Sequence, residues 1–187
     1  MKRCKWAASN PDYFGYHDHE WGVPVHDDRT HFEYILLDAF QAGLSWLTIL
    51  RKRENFRKAF DDFDYEKIAA YGEDKIAALL QDAGIVRNKL KVRAAIKNAQ
   101  HFIRIRKQFG SFDAYIWSFT DGETIVNHFS EMQEIPAKTE LSDRISKDLK
   151  KRGFTFVGST IIYAYLQAAG IVNDHTTDCF RHAQLAG

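Results

Sequence analysis

Two cysteines and two histidines near opposite ends of the chain are of the types that hold a metal. Cys4 and Cys179 are the only cysteines among 187 residues; His17 follows the first, and His175 precedes the second by four positions. Two thiols and two imidazoles make the tetrahedral N/S donor set that Zn²⁺ prefers. The four-residue spacing places His175 and Cys179 on one face of a helical turn. A metal on Cys4, His17, His175 and Cys179 would clip the chain ends together. His19, on the far side of Asp18, is an alternative to His17 as ligand. A Cys4–Cys179 disulfide, or two unrelated buried thiols, would also account for the cysteines. The opening MKRCKWAASN has no apolar signal segment, so the expected address is the cytoplasm, where disulfides are rare. That favours the metal.

Aromatic residues gather beside these ligands. Trp6, Tyr13, Phe14, Tyr16, Trp21 and Trp46 lie in the first 46 residues, which hold three of the four tryptophans. They form either the packed surround of a metal clip or a pocket whose walls stack on a flat, electron-poor ring. Aromatic faces carry negative quadrupole charge and attract a cation. Enzymes that act on a base in duplex DNA rotate it out of the stack into such a pocket.

A third set of residues suits an anionic polymer. The net charge is only +1, but it is segregated: residues 81–107 carry Arg87, Lys89, Lys91, Arg93, Lys97, Arg104, Arg106 and Lys107 against Asp82 alone, a net of +7. Residues 54–78 carry a net of −3. Within the basic stretch, Gly84-Ile85-Val86 forms a tight break between an apolar helix and a long basic one, flanked by Arg87, Lys89 and Lys91. This is how a helix-hairpin-helix module looks in sequence. Main-chain N–H groups at the start of the second helix, aided by its dipole, can seat a phosphate without reading a base. A plain helical hairpin closed by Gly84 as a C-cap is the simpler reading of the same residues.

The elements that must position these residues are nearly all helical. Asp28 or Thr30 is suited to cap a helix carrying Phe32, Ile35, Leu36, Ala39 and Phe40 at helical spacing. Gly43 interrupts it, and Ser45 can cap a short helix through Leu50. Further helices are expected near 53–60, 65–71, 73–82, 88–108, 111–119, 140–152 and 157–169, the last two stopped by Gly153 and Gly170. Segment 120–139, with Pro136, reads as loop, and Thr124–Val126 is the best candidate for a strand. Hydrophobic content of 45% and charged content of 27% describe an ordinary globule, with no apolar run of membrane-spanning length. The class is all-α: one domain over 1–187, with a hairpin lobe near 53–108 and a terminal lobe from about 1–25 and 110–187. Nothing suggests more than a monomer.

Several longer runs carry a resemblance. Tyr16-His-Asp-His-Glu-Trp-Gly-Val-Pro24, Gln41-Ala-Gly-Leu-Ser-Trp46, Lys52-Arg-Glu-Asn55, Lys150-Lys-Arg-Gly-Phe154, Phe156-Val-Gly-Ser-Thr160 and Val172-Asn-Asp-His175 resemble the 3-methyladenine DNA glycosylase I family. That family is the zinc-containing, constitutive bacterial branch of the helix-hairpin-helix glycosylases. The resemblance runs from Cys4 to Cys179. It implies a structural zinc on Cys4, His17, His175 and Cys179. It implies that Tyr16 and Trp46 stack on an extruded base, that Trp6, Tyr13 and Trp21 line the pocket, and that Leu44 is the wedge entering the gap. It also implies alkylated double-stranded DNA as partner and hydrolysis of the N-glycosidic bond of N3-methyladenine, leaving an abasic site. No lysine is singled out for Schiff-base chemistry, so strand cleavage is not expected.

The sequence departs from the family at one telling position. Where the family has a glutamate three residues before the Gln of the QAGLSW run, this chain has Asp38. Aspartate is shorter by a methylene, about 1.5 Å of reach. Asp38 is the candidate for recognising the base; its charge would favour a cationic base over neutral adenine. Asp113, the only aspartate in the 30 residues after Asn88, sits in a Phe-Asp-Ala-Tyr context that also suits a helix cap. Two other readings stay open: a zinc-clipped lesion-binding protein whose glycosylase activity is lost or redirected by Asp38, and a metal-dependent hydrolase using His17 and His175.

Overall fold

A computed structural model describes residues 1–186. Eleven α-helices are present among them: α1 (Lys5–Ala8), α2 (Phe14–His19), α3 (Asp28–Gln41), α4 (Trp46–Ala59), α5 (Tyr65–Ala69), α6 (Glu73–Gln81), α7 (Lys89–Phe109), α8 (Phe112–Trp117), α9 (Glu140–Lys151), α10 (Ser159–Ala168) and α11 (Phe180–Gln184). The all-α expectation holds. One pair of two-residue strands joins distant segments: β1 (Ile125–Val126) runs parallel to β2 (Val172–Asn173), with Ile125 opposite Val172.

Helix α3 is the axis of the molecule. Every residue from His31 to Phe40 is buried, because α4, α7, α8 and α10 all pack on it. A helix buried all round has no solvent face, so a polar residue within it must meet a partner or a cavity. Its cap is Asp27 rather than Asp28 or Thr30: Asp27 Oδ2 accepts from Thr30 N at 2.8 Å. Asp28 instead accepts from Arg106 Nε at 2.6 Å and from the main-chain N–H groups of Phe112 and Asp113 at 3.2 and 2.9 Å, tying the starts of α3 and α8 together.

Ser45 caps α4 as expected, accepting from Thr48 N at 3.2 Å, but α4 does not end at Leu50. It continues to Ala59 because no breaker intervenes and its charged turn is neutralised: Arg53 bonds Glu33 at 2.7 Å and Glu20 at 2.6 Å. Gly153 and Gly170 end α9 and α10 with φ of +99° and +67°, conformations that glycine adopts freely. At Gly170 the packing is as demanding as the dihedral, since a Cβ would stand 2.4 Å from the main chain of Val23 and Pro24. The apolar core is a single cluster from Cys4 to Cys179.

Candidate functional site

Asp38 lies three residues before the C-terminal end of the central helix and lines a cavity of about 370 Å³. Trp6, Tyr16, Trp21 and Trp46 form one side of this cavity. Met132, Ile135, Pro136 and Ala137, from the loop before α9, form another, and Thr160, Tyr163, Ala164 and Gln167 of α10 close it. Tyr16 and Trp46 touch each other, with ring centroids 5.2 Å apart and planes inclined at 47°, so a flat ligand lies against the pair rather than between them. Tyr13 does not line the cavity. Its ring packs edge-on to Trp6 at 5.3 Å, so its part is to hold Trp6 upright.

The polar groups of this cavity are incomplete. Among the described residues, three buried side-chain atoms lack a hydrogen-bond partner, and two of them are here: Asp38 Oδ2, an acceptor, and Trp46 Nε1, a donor. Buried polar atoms are rarely left unpaired, so a donor and an acceptor unpaired in one cavity point to a ligand that carries both. Asp38 is 4% exposed. Burial pushes its carboxyl far above the ordinary aspartate range, because no nearby cation offsets the loss of water. Burial, with the Asp38 charge next in weight, also raises the Tyr16 phenol.

A second buried carboxylate stands behind the wall. Asp174 Oδ2 accepts from Gln167 Nε2 at 2.8 Å and from the Tyr163 hydroxyl, and its Oδ1 accepts from Asn127 Nδ2 at 2.7 Å. A carboxylate accepts only donors, so Asp174 fixes the Gln167 amide with its nitrogen away from the cavity. Gln41, Thr160 and Asp174 lie in runs that carry the family resemblance but had no site role assigned from sequence, while nothing in the types or spacing of Tyr163, Gln167 and the Met132–Ala137 loop sets them apart.

Asp113 lies elsewhere. Ser111, not Asp113, caps α8, and Asp113 Oδ1 stands 3.2 Å from His31 Nε2 and 3.1 Å from His26 Nδ1.

The four expected metal ligands converge. The donor atoms of Cys4, His17, His175 and Cys179 lie within 4.8 Å of one another, and all four residues are buried. Both cysteines are free thiols, which removes the disulfide reading, and His19 is exposed on the outer side of α2, away from the cluster. The imidazoles are oriented from behind. His175 Nε2 meets the Trp21 carbonyl at 2.9 Å, turning Nδ1 toward both sulfurs at 3.5 Å. His17 Nδ1 meets Asp18 Oδ1 at 2.8 Å, turning Nε2 toward Cys179 Sγ at 3.5 Å. Asp18 is itself held by Arg3 through bonds of 2.7–3.0 Å, which keep its carboxyl near pH 2. A carboxylate behind an imidazole makes it a better ligand. Trp21 packs on His175 at 4.6 Å and on Trp6 at 5.1 Å, so the cluster and the cavity share a wall.

The hairpin lies between α6 and α7. Asn88 caps α7, accepting from Lys91 N at 3.1 Å. Gly84 is needed for closeness rather than for a left-handed conformation, since a Cβ there would meet Asp82 Oδ1 at 2.9 Å and Asn55 Cβ at 3.1 Å. Ile85 is buried and anchors the turn, Val86 is half-buried, and Arg87 and Lys89 are exposed. Lys91 corrects the expectation from sequence. It is 6% exposed, and its ammonium faces inward, donating to the carbonyls of Phe40 and Ala42. Leu44 stands at the tip of the loop between α3 and α4, 41% exposed, after Gly43 with φ of +78°.

Comparison with known proteins places this arrangement. The model of the methyladenine glycosylase family matches residues 6–182. The chain is 47% identical over 179 residues to DNA-3-methyladenine glycosylase 1 of Escherichia coli (strain K12), covering 96% of each protein. It is similar to the crystal structure of a 3-methyladenine DNA glycosylase I, with a TM-score of 0.92, 47% identity, and coverage of 96% of this chain and 98% of that one. It is also similar to a tyrosine-to-phenylalanine variant of a 3-methyladenine DNA glycosylase I in complex with 3-methyladenine. There the TM-score is 0.92 and the identity 34%, over 96% of this chain and 97% of that one.

Proposed function

The chain belongs to the methyladenine glycosylase family, and on that premise we infer that it is a DNA-3-methyladenine glycosylase acting on alkylated double-stranded DNA. It hydrolyses the N-glycosidic bond of N3-methyladenine and leaves an abasic site. The observation that carries this reading is the unpaired acceptor and unpaired donor, Asp38 Oδ2 and Trp46 Nε1, in one aromatic cavity of about 370 Å³.

Alkylation at N3 makes the base cationic and a good leaving group, so the protein must chiefly select and hold it. Exposed Arg87 and Lys89 grip the phosphates beside the Gly84–Val86 turn, whose Gly84 and Ile85 N–H groups are taken up by Asp82. Leu44 enters the gap left by the extruded nucleotide. Tyr16, Trp46, Trp6 and Trp21 present π-faces to the cation. Burial pushes the Asp38 carboxyl well above the ordinary aspartate range, and the cationic base opposite it draws it back toward ionisation. Neutral adenine offers no charge to offset that ionisation, which is the basis of discrimination. Water then bonds to C1′ as the base departs with the electron pair of the broken bond, becoming neutral; a proton passes to solvent. Asp38 recognises the base and does not activate the water.

The residues at the terminal cluster fit zinc. With Zn–S near 2.3 Å and Zn–N near 2.0 Å, a tetrahedral site has S···N edges of about 3.5 Å, the separation found for three S···N pairs here. Cys4, His17, His175 and Cys179 would hold the ion, which with four protein ligands supplies cross-linking and no chemistry at the base.

The test is base release from methylated duplex DNA by the wild type beside Asp38→Asn and Asp38→Glu. Release by the wild type that is lost in Asp38→Asn supports the reading. No release by the wild type, with recovery in Asp38→Glu, would show that the chain kept the scaffold and gave up the chemistry.

A further inference from the structure

The basic residues of the hairpin divide by direction. Arg87 and Lys89 face solvent, whereas Lys91, two residues further along α7, is drawn inside. Its Nζ donates to the carbonyl of Phe40 at 2.7 Å and to that of Ala42 at 2.5 Å. Phe40 is in the last turn of α3 and Ala42 is its C-cap, where a helix leaves acceptors unpaired and the negative end of its dipole lies. A buried ammonium is costly unless its hydrogens are taken up, and here two of three are. Removing this side chain leaves two carbonyls without their donor, so the arrangement is specific and not a stray surface lysine folded down.

The position of those carbonyls gives the contact its meaning. Ala42 is two residues before Leu44, at the root of the 42–45 loop. Helix α4, which leaves the same loop, is also fastened to the hairpin about two turns beyond its start. Lys52 Nζ, on α4, donates to the carbonyls of Ala83 and Gly84 at 3.0 and 3.2 Å, and Asn55 Nδ2 donates to Gly84 at 3.3 Å. The turn that meets phosphate is therefore braced against the helix that enters the Leu44 loop and the helix that leaves it. The neighbouring Leu90, 71% exposed, makes no such bridge.

We propose that Lys91 is a positioning residue for base extrusion: it sets the height of the Leu44 loop above the phosphate-binding turn, so that gripping the backbone drives the wedge into the stack. The proposal rests on the reading of Leu44 as wedge. Lys91 touches neither base nor phosphate, and its effect passes through the loop.

The experiment mixes wild type, Lys91→Met and Leu44→Ala with a duplex carrying 2-aminopurine beside 3-methyladenine. It follows unstacking by fluorescence together with base release, duplex affinity, and binding of free 3-methyladenine by tryptophan quenching. The expected result for Lys91→Met is duplex and free-base affinity close to wild type, with unstacking and release slowed roughly ten- to hundredfold, the cost of a displaced reacting group. A support role in the fold alone would lower all four readouts together, and that outcome overturns the proposal. Wild-type unstacking in Lys91→Met while Leu44→Ala is slow overturns it as well. Wild-type unstacking in Leu44→Ala would remove the wedge reading itself, and the proposal with it. Should Lys91→Met fail to fold, Lys91→Arg keeps the charge and donors while lengthening the arm. It is expected to slow unstacking with the fold intact, and wild-type unstacking in that variant counts against the proposal.

Discussion

Asp38 is a liability to the fold and an asset to the site. Its native carboxyl binds a proton at pH values where the unfolded chain's does not, so stability falls as pH rises from the ordinary aspartate range, near 3.9, toward the raised native value. Asp38→Asn removes that charge-burial cost. The variant should be more stable than wild type at neutral pH by about 1–3 kcal/mol, and so melt at a higher temperature, with the gain vanishing near pH 3. Melting curves across pH test this, and parallel curves for the two proteins would rule out a buried ionisable Asp38. Base release by Asp38→Asn should fall about a hundredfold or more, the scale of a lost preorganised charge partner. Behind the terminal cluster, Asp18→Asn should weaken metal binding about 10- to 100-fold in chelator competition, while release at saturating metal stays near wild type. The cysteines and histidines were legible from sequence because these types are rare and their spacing is informative. Lys91 was not: a sequence displays its charge but not its direction, and beside Arg87 and Lys89 it looked like one more phosphate contact. Gln167 and Asp174 were silent for a different reason, since only the folded wall brings them together.

Helix ends were read to within a few residues where a cap or a glycine marks them, as at Ser45, Asn88, Gly153 and Gly170. The misread element was α4, divided in two because its charged turn at Arg51-Lys52-Arg53 resembles a break. Its continuity depends on Glu20 and Glu33, which lie far away in sequence. The pairing of Ile125–Val126 with Val172–Asn173 is too short to leave a periodic signal, although Thr124–Val126 was marked as strand-like. The hairpin between α6 and α7 makes a prediction of its own. Replacing exposed Arg87 with alanine should weaken duplex binding evenly across sequences and lower the slope of log affinity against log salt by about one. A titration at several salt concentrations decides it, and an unchanged slope would remove Arg87 from the phosphate contacts.

The whole molecule depends on two distant stretches meeting. Phe180 N donates to Lys2 O at 3.0 Å beside the Cys4–Cys179 cluster, and Trp21 joins that cluster to the cavity. Stripping the metal should therefore unfold the terminal region and abolish base binding together, seen as parallel losses of ellipticity and of tryptophan quenching on adding a chelator. Folded but inactive apoprotein would instead make the metal a participant in catalysis. The closure also sets an order in time. A polypeptide emerges from its amino end, so Cys4, His17 and the tryptophans beside them are made first and must wait, unliganded, until His175 and Cys179 arrive. The cluster that backs Trp21 is thus among the last parts to be finished: a nascent chain stalled before residue 179 carries every residue of the cavity wall but lacks Cys179 from the cluster behind it.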